Sequence, residues 1–290
     1  MSRCPRKVQH STQESGAALL SVVLILGLLS LLTVTVTLYV NSRSTIVATT
    51  REALHKRLLV ESALAYAAGR VRSTPAGMPV SGEDRIRLTI GRAQMSWSAE
   101  SGRLDLNLAD PETLIALFMS VGSRREQATS LVEQIIARRA FSSDSGASNA
   151  DKTLIGARAG PFEHTAEALT LDDMTSELYA RLEPFVTVYG SSTKIDPRLA
   201  PKALISALLP LSSVDLARLE SGRRASDEEM KAIITSIPET VKYFDLQRPQ
   251  ATRLLISVQT AHGTKQAVEI VFLTFDDDTV PYRLLEWRER

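Results

Sequence analysis

The sequence predicts an α+β fold in which one long N-terminal helix packs on an antiparallel sheet and a large all-α insertion interrupts that sheet. Three observations predict it. An apolar run near the N-terminus passes, without Pro or Gly from Leu28 until Gly69, into helical spacing; two clusters of short alternating runs lie far apart in the chain; and the stretch between them is punctuated by helix starts. The 290 residues carry 34 Lys plus Arg against 33 Asp plus Glu, a balance with no basic or acidic tail. With 44% apolar and 23% charged residues the chain has enough hydrophobe to fold. The lone Cys4 and four scattered histidines (His10, His55, His164, His262) exclude a disulfide scaffold, a zinc module and Cys-dependent catalysis.

The first element is a membrane span. No charge interrupts the chain from Ser15 to Ser42, and Ala17 to Val40 holds fifteen Leu, Ile or Val in 24 positions. A span needs about 20 consecutive, predominantly apolar residues. Its Ser and Thr hydroxyls can bond back to their own helix. A cleaved secretory signal would be shorter and end in a small-residue site, which Asn41-Ser42-Arg43-Ser44 does not offer. Charge does not set the orientation, because Arg3, Arg6 and Lys7 precede the run while Arg43, Arg51, Lys56 and Arg57 follow it. Val47, Leu54, Leu58, Ala65 and Ala68 then recur at helical spacing, so a single helix of roughly 50 residues is expected over 17–72, apolar first and amphipathic after. Glu61 lies on the stripe between Leu58 and Ala65; it reads as a stalk-surface carboxylate or as one half of an ion pair with a neighbouring subunit's helix.

The breaker cluster Ser73-Thr74-Pro75-Ala76-Gly77-Met78-Pro79 ends that helix. Three alternating runs (Ile86, Leu88, Ile90; Ala93, Met95, Trp97; Leu104, Leu106) predict an antiparallel meander over 73–104. Arg253 to Thr260, Gln266 to Phe275 and Tyr282 to Trp287 predict the closing strands of the same sheet over 251–290, with Trp97 and Trp287 packing on sheet faces. Between them, 105–250 reads as helical. Asp110-Pro111 is an N-cap before a first-turn proline, and Ser123-Arg124-Arg125-Glu126 and Ser226-Asp227-Glu228-Glu229 are capping boxes. Arg138-Arg139 suit a helix C-terminus. The small-residue stretch Ala140 to Gly160 predicts a loop. LNLADPETLIAL (Leu106 to Leu117) and KIDPRLAPKALISAL (Lys194 to Leu208) form a weak internal repeat, predicting two similar helical hairpins.

A polar basic leader ending in Gly16, then a charge-free apolar run extending into a long amphipathic helix, resembles the type IV pilin and pseudopilin class. The resemblance implies a pilin-like fold, a leader over 1–16 and cleavage of the Gly16-Ala17 bond by a prepilin peptidase. Most of that class has Glu at the fifth mature position, where this chain has Ser21; its loss is a habit of the K-type minor pseudopilin of type II secretion. LNLADPETLIAL with PFEHTAEALTLDDMTSELYARLEPFVTVYG resembles a helix-hairpin-helix (SAM-like) arrangement, and "PYRLLEW" (Pro281 to Trp287) closes the sheet. Together these parts resemble the K class over essentially the whole chain.

That resemblance implies a single-pass protein of the bacterial inner membrane with its bulk in the periplasm, at the tip of a short filament that helps export folded proteins across the outer membrane. Its implied partners are the I-, J- and H-type minor pseudopilins, the major pseudopilin, the prepilin peptidase and the inner-membrane assembly platform. The alternatives are a membrane-anchored helix-hairpin-helix DNA-uptake protein and a minor pilin of a type IV pilus. DNA-binding hairpins use a glycine-rich loop whose free amides hold phosphate. Here the loops read Ser120-Val121-Gly122-Ser123-Arg124 and Leu171-Asp172-Asp173-Met174-Thr175, and the two aspartates would repel phosphate, so no nucleic acid is expected.

No constellation supports catalysis, and an enzyme is not expected. Ser191-Ser192-Thr193-Lys194 has SxxK spacing but no partner motif, and reads as a polar turn. No cofactor is established. Relatives of the K class have carried calcium in the helical insertion, and Asp144 and Asp151 are the better candidates here; Asp276-Asp277-Asp278 reads as a solvated hairpin turn. Cleavage after Gly16 would take basic residues from 34 to 31 and acidic from 33 to 32, moving the formal charge from +1 to −1 and removing the cysteine.

Overall fold

A computed structural model describes residues 13–140, 160–246, 251–275 and 280–290. The chain divides into two compact units, Met1–His55 and Lys56–Arg290. A single helix, α1 (Gln13–Arg72), contributes to both. It is 60 residues long and starts four residues before Ala17, because Gly16 alone does not stop a helix that Gln13 and Glu14 favour.

In the first unit, Leu19–Tyr39 forms a 21-residue apolar stretch long enough to cross a membrane. Its Leu, Ile and Val side chains are exposed along the whole length. The hydroxyls of Thr33, Thr35 and Thr37 each donate to the carbonyl four residues back, at 2.8 Å. These polar groups are thus satisfied inside the helix, as an apolar surrounding requires.

In the second unit five antiparallel strands form one sheet in the order β1 (Ser81–Leu88), β2 (Gly91–Ala99), β5 (Ala251–Thr260), β6 (Lys265–Thr274) and β7 (Tyr282–Glu289). Period-two alternation decides the faces. Met95 and Trp97 of β2, Leu254 and Ile256 of β5, and Ile270 and Phe272 of β6 point to one side, where they pack on Leu59, Val60, Ala63, Leu64, Ala67 and Val71 of α1. Ala63 and Ala67 are fully buried, and their small size lets the helix backbone approach the sheet. On β1 the residue opposite Trp97 is Gly82, and a Cβ there would stand 2.5 Å from Trp97 Cζ2. The indole lies across the space that glycine leaves, and Trp97 packs on the sheet face as expected.

Three features depart from the sequence reading. The third alternating run does not join the meander. A one-turn 3-10 helix at Glu100–Gly102 redirects the chain, and Leu104–Asp105 (β3) pairs in parallel with Val186–Thr187 (β4) as a separate small sheet. The place beside β2 is taken by β5, whose longer apolar run buries more surface. Trp287 is not packed into the sheet: it is 43% exposed on β7, an edge strand, next to the equally exposed Leu284. Finally, Ser123 does not cap a helix.

The helical elements between β2 and β5 have their own core, built around Leu106, Leu114, Phe118, Leu131, Ile135, Leu182 and Ile205. They are α2 (Pro111–Ser120), α3 (Arg125–Ala140), α4 (Ser176–Leu182), α5 (Lys202–Leu208), α6 (Ser213–Ser221) and α7 (Asp227–Ser236), joined by 3-10 turns. Asp110 caps α2 by accepting from the Glu112 amide at 3.1 Å, with Pro111 in the first turn. Ser226 and Glu229 close the capping box that opens α7. At α3 the box fails because Ser123 is used by the preceding helix. Gly122 takes φ +102°, and the Ser123 amide returns to the Phe118 carbonyl at 3.0 Å, closing the α2 C-terminus. The Ser123 hydroxyl is left buried without a hydrogen-bond partner.

The internal repeat has a physical basis. In the first copy the Ala109 amide donates to the Asp105 carbonyl, while the Asp105 carboxylate accepts from the Asn107 amide two residues on. In the second, Ala200 donates to the Asp196 carbonyl and the Asp196 carboxylate accepts from the Arg198 amide. Each turn ends in Leu-Ala and leads through a proline, Pro111 or Pro201, into α2 or α5. Those two helices pack on each other.

Candidate assembly surfaces and the polar joint behind them

The processing candidates Gly16 and Ala17 lie on helical backbone, with side chains outside the described residues. Ser21 falls within the first turn of the apolar stretch, among exposed residues. Glu61, in the second unit, accepts from Arg57 Nε at 2.8 Å, both side chains facing solvent. An i, i+4 pair this exposed stabilises by a few tenths of a kcal/mol.

Behind the sheet lies a buried set of charges that the sequence reading did not find. Arg253 of β5 grips Glu100 bidentately, Nε to Oε1 at 2.8 Å and Nη2 to Oε2 at 3.0 Å, and its Nη1 pairs with Glu269 of β6. Arg103 donates to Glu100 at 2.7 Å and to the Pro184 carbonyl at 3.2 Å. Arg290 joins Glu269, and Arg288 joins Glu183, which begins the 3-10 turn after α4. These contacts fasten the outer face of β5, β6 and β7 to the helical insertion. Burial works against every charge here, yet the arginines hold the Glu100 and Glu269 carboxyls below their usual range. The same carboxylates keep Arg253 above its usual value.

Further polar ties order the insertion. Asn107 Nδ2 donates to the Phe162 carbonyl at 2.9 Å, and the Phe162 amide donates to Asn107 Oδ1 at 2.8 Å, which joins the Leu106-Asn107 and Pro161-Phe162 motifs. Arg139 donates to the Leu106 and Ala109 carbonyls at 2.8 Å each. Arg138 pairs with Glu167 and lies 4.1 Å from the Phe162 ring centroid. The two cations at the end of α3 thus hold distant backbone and side chains. Arg198 does the same, reaching Asp196, Asp227 and the carbonyls of Gly77 and Ala225.

The hairpin loops have few amides left for a phosphate. Those of Val121, Gly122 and Ser123 donate to carbonyls of α2. In the second loop the Asp172 amide donates to Gln134 Oε1 at 2.8 Å, and Gln127 donates to the Asp173 carbonyl. The Lys194 ammonium donates to the Val241 carbonyl at 2.9 Å and its amide to Ser192 Oγ, a turn rather than a serine-activating pair. Among the described residues no group of three or more His, Cys, Asp or Glu is placed to hold a metal ion. Asp144, Asp151 and Asp276 to Asp278 lie outside the described residues.

No family model matches the sequence, and no curated protein matches it. The fold is matched. One chain in the crystal structure of the GspK-GspI-GspJ complex from the enterotoxigenic Escherichia coli type 2 secretion system superposes with a TM-score of 0.57 at 14% identity. The match covers 86% of this chain and 99% of that one. The long helix on an antiparallel sheet, with helices inserted between strands, is therefore a fold shared with a subunit of that complex. It agrees with the K-class resemblance carried by the leader, the anchor and the insertion.

Proposed function

We propose that this chain is a K-class minor pseudopilin of type II secretion. It sits in the inner membrane through Leu19–Tyr39, carries its sheet and insertion in the periplasm, and assembles with I-, J- and H-type minor pseudopilins at the tip of the pseudopilus. The observation that carries the reading is the structural match over 86% of the chain, together with a membrane-length helix at the N-terminus. The role is structural: the filament supports the export of folded proteins across the outer membrane, and the chain itself performs no chemistry.

Within that reading, prepilin peptidase cuts between Gly16 and Ala17, and Ser21 marks the subunit as the first in its filament. An incoming pseudopilin normally places its own Glu carboxylate against the amino group of the subunit above. A subunit with nothing above it can dispense with the carboxylate.

The test is deletion of the gene and complementation. The deletion is expected to leave folded cargo in the periplasm, wild type to restore export, and N-terminal sequencing to give Ala17 first. Export that continues unchanged in the deletion strain would overturn the proposal. Crosslinks that placed the subunit mid-filament, with Ser21→Glu leaving export and assembly unaltered, would overturn the tip position alone.

A further inference from the structure

The face of the sheet turned away from α1 carries a cationic concavity that the proposed role does not use. Its volume is about 710 Å³, and Arg85 and Arg87 of β1, Arg92 of β2, Lys265 of β6 and the C-terminal Arg290 all line it. No carboxylate lines it. The strand register explains the arrangement: Arg87, Arg92, Gln259 and Lys265 stand in one row across four strands, and Arg85, Gln94, Ser257 and Ala267 in the next.

Two observations set this patch apart from an ordinary solvated face. Arg87 and Arg92 are direct cross-strand partners, a like-charge juxtaposition that costs stability. And among the described residues Arg85, Arg87, Arg92 and Lys265 make no ion pair, Arg92 bonding instead to the Gln259 amide oxygen. Arg290, by contrast, is paired with Glu269. Arg138, Arg198 and Arg253 are buried against carboxylates; here three arginines and a lysine gather, and among the described residues none of the four is paired with one.

We infer that this concavity docks an extended acidic segment of a partner protein. The dimensions favour a chain over a small anion. Arg87 to Lys265 spans three inter-strand steps, about 14 Å at ~4.8 Å each. Arg85 and Arg87 are two residues apart on one strand, about 6.8 Å, which is the spacing of alternate side chains on an extended peptide. Gln94, Ser257 and Gln259 on the floor offer donors and acceptors for peptide groups. No aromatic ring lines the concavity for bases to stack on.

The experiment uses the full chain in nanodiscs of zwitterionic lipid, with a fluorescein-labelled octaglutamate peptide read by anisotropy. Binding is expected at low salt and to weaken as ionic strength rises. The R85Q/R87Q/R92Q variant should bind at least ten-fold more weakly, and R85K/R87K/R92K should retain binding. R124Q/R125Q/K231Q removes the same charge from exposed positions on the insertion and should match wild type within about two-fold. Circular dichroism confirms that each variant is folded. The inference is overturned if both glutamine triples weaken binding equally, or if neither does. It is also overturned if a DNA duplex or phosphatidylglycerol vesicles bind through the same three arginines at lower concentration than the peptide.

Discussion

Arg253 on β5 holds Glu100, at the end of β2, through two parallel hydrogen bonds of 2.8 and 3.0 Å, with both side chains more than nine-tenths buried. The pair stands where the chain leaves the sheet to enter the insertion, and Arg253 belongs to the strand on which it returns. One guanidinium therefore ties exit to return.

Removing that guanidinium leaves two buried carboxylates with one cation each, Arg103 for Glu100 and Arg290 for Glu269. Arg253→Met is expected to destabilise the protein by about 3–5 kcal/mol, read as a shift in the denaturant midpoint. Replacing the two carboxylates as well, as in E100L/R253M/E269L, should recover only part of the loss, because Arg103 and Arg290 then lose their carboxylates. A single substitution costing under about 1 kcal/mol would show that the network is not what joins the two parts.

The same carboxyls set a pH dependence. Their folded pKa values are depressed below the unfolded value of 4.5, so their contribution is fully present above about pH 4.5 and is lost as pH falls through the lower folded values. Melting temperature should be flat from neutral pH to about 5 and drop below 4.5. In E100Q/E269Q the drop should be shallower.

Gly82 and Trp97 make a steric prediction. A Cβ 2.5 Å from Trp97 Cζ2 cannot be accommodated without moving the indole. Gly82→Leu is expected to cost about 1–3 kcal/mol and to change near-ultraviolet circular dichroism from displaced Trp97.

Two serines that look alike in sequence should behave oppositely. Ser226→Ala removes a formed cap and should cost about 0.5–2 kcal/mol. Ser123→Ala removes a buried hydroxyl that has no partner, and should be neutral or stabilising. Equal costs at both sites would mean that Ser123 caps α3 after all.

Those serines also mark how far the sequence could be read. The anchor and strands β5 to β7 were legible because apolar length and period-two alternation are local signals, strong over the runs 253–260 and 266–275. Helix starts were legible where one residue does one job, as at Asp110 and Ser226. They failed at Ser123, whose amide ends the previous helix. The third strand was misassigned because the alternation of Leu104 and Leu106 does not say which neighbour it pairs with, and that neighbour, Val186, lies 82 positions on. The buried charges had one signal: Glu269 interrupts the apolar run Val268 to Phe272. The row of Arg85, Arg87 and Arg92 becomes visible only once the register of β1, β2 and β5 is known.

The measurement that tests the proposed role most directly is co-purification of the full chain with the I- and J-type minor pseudopilins of the same bacterium, read by size-exclusion chromatography with light scattering. A stable ternary complex, which survives the R85Q/R87Q/R92Q substitutions if the acidic partner is a different protein, is the predicted result. A chain that elutes alone, with I- and J-type subunits present and folded, would contradict it.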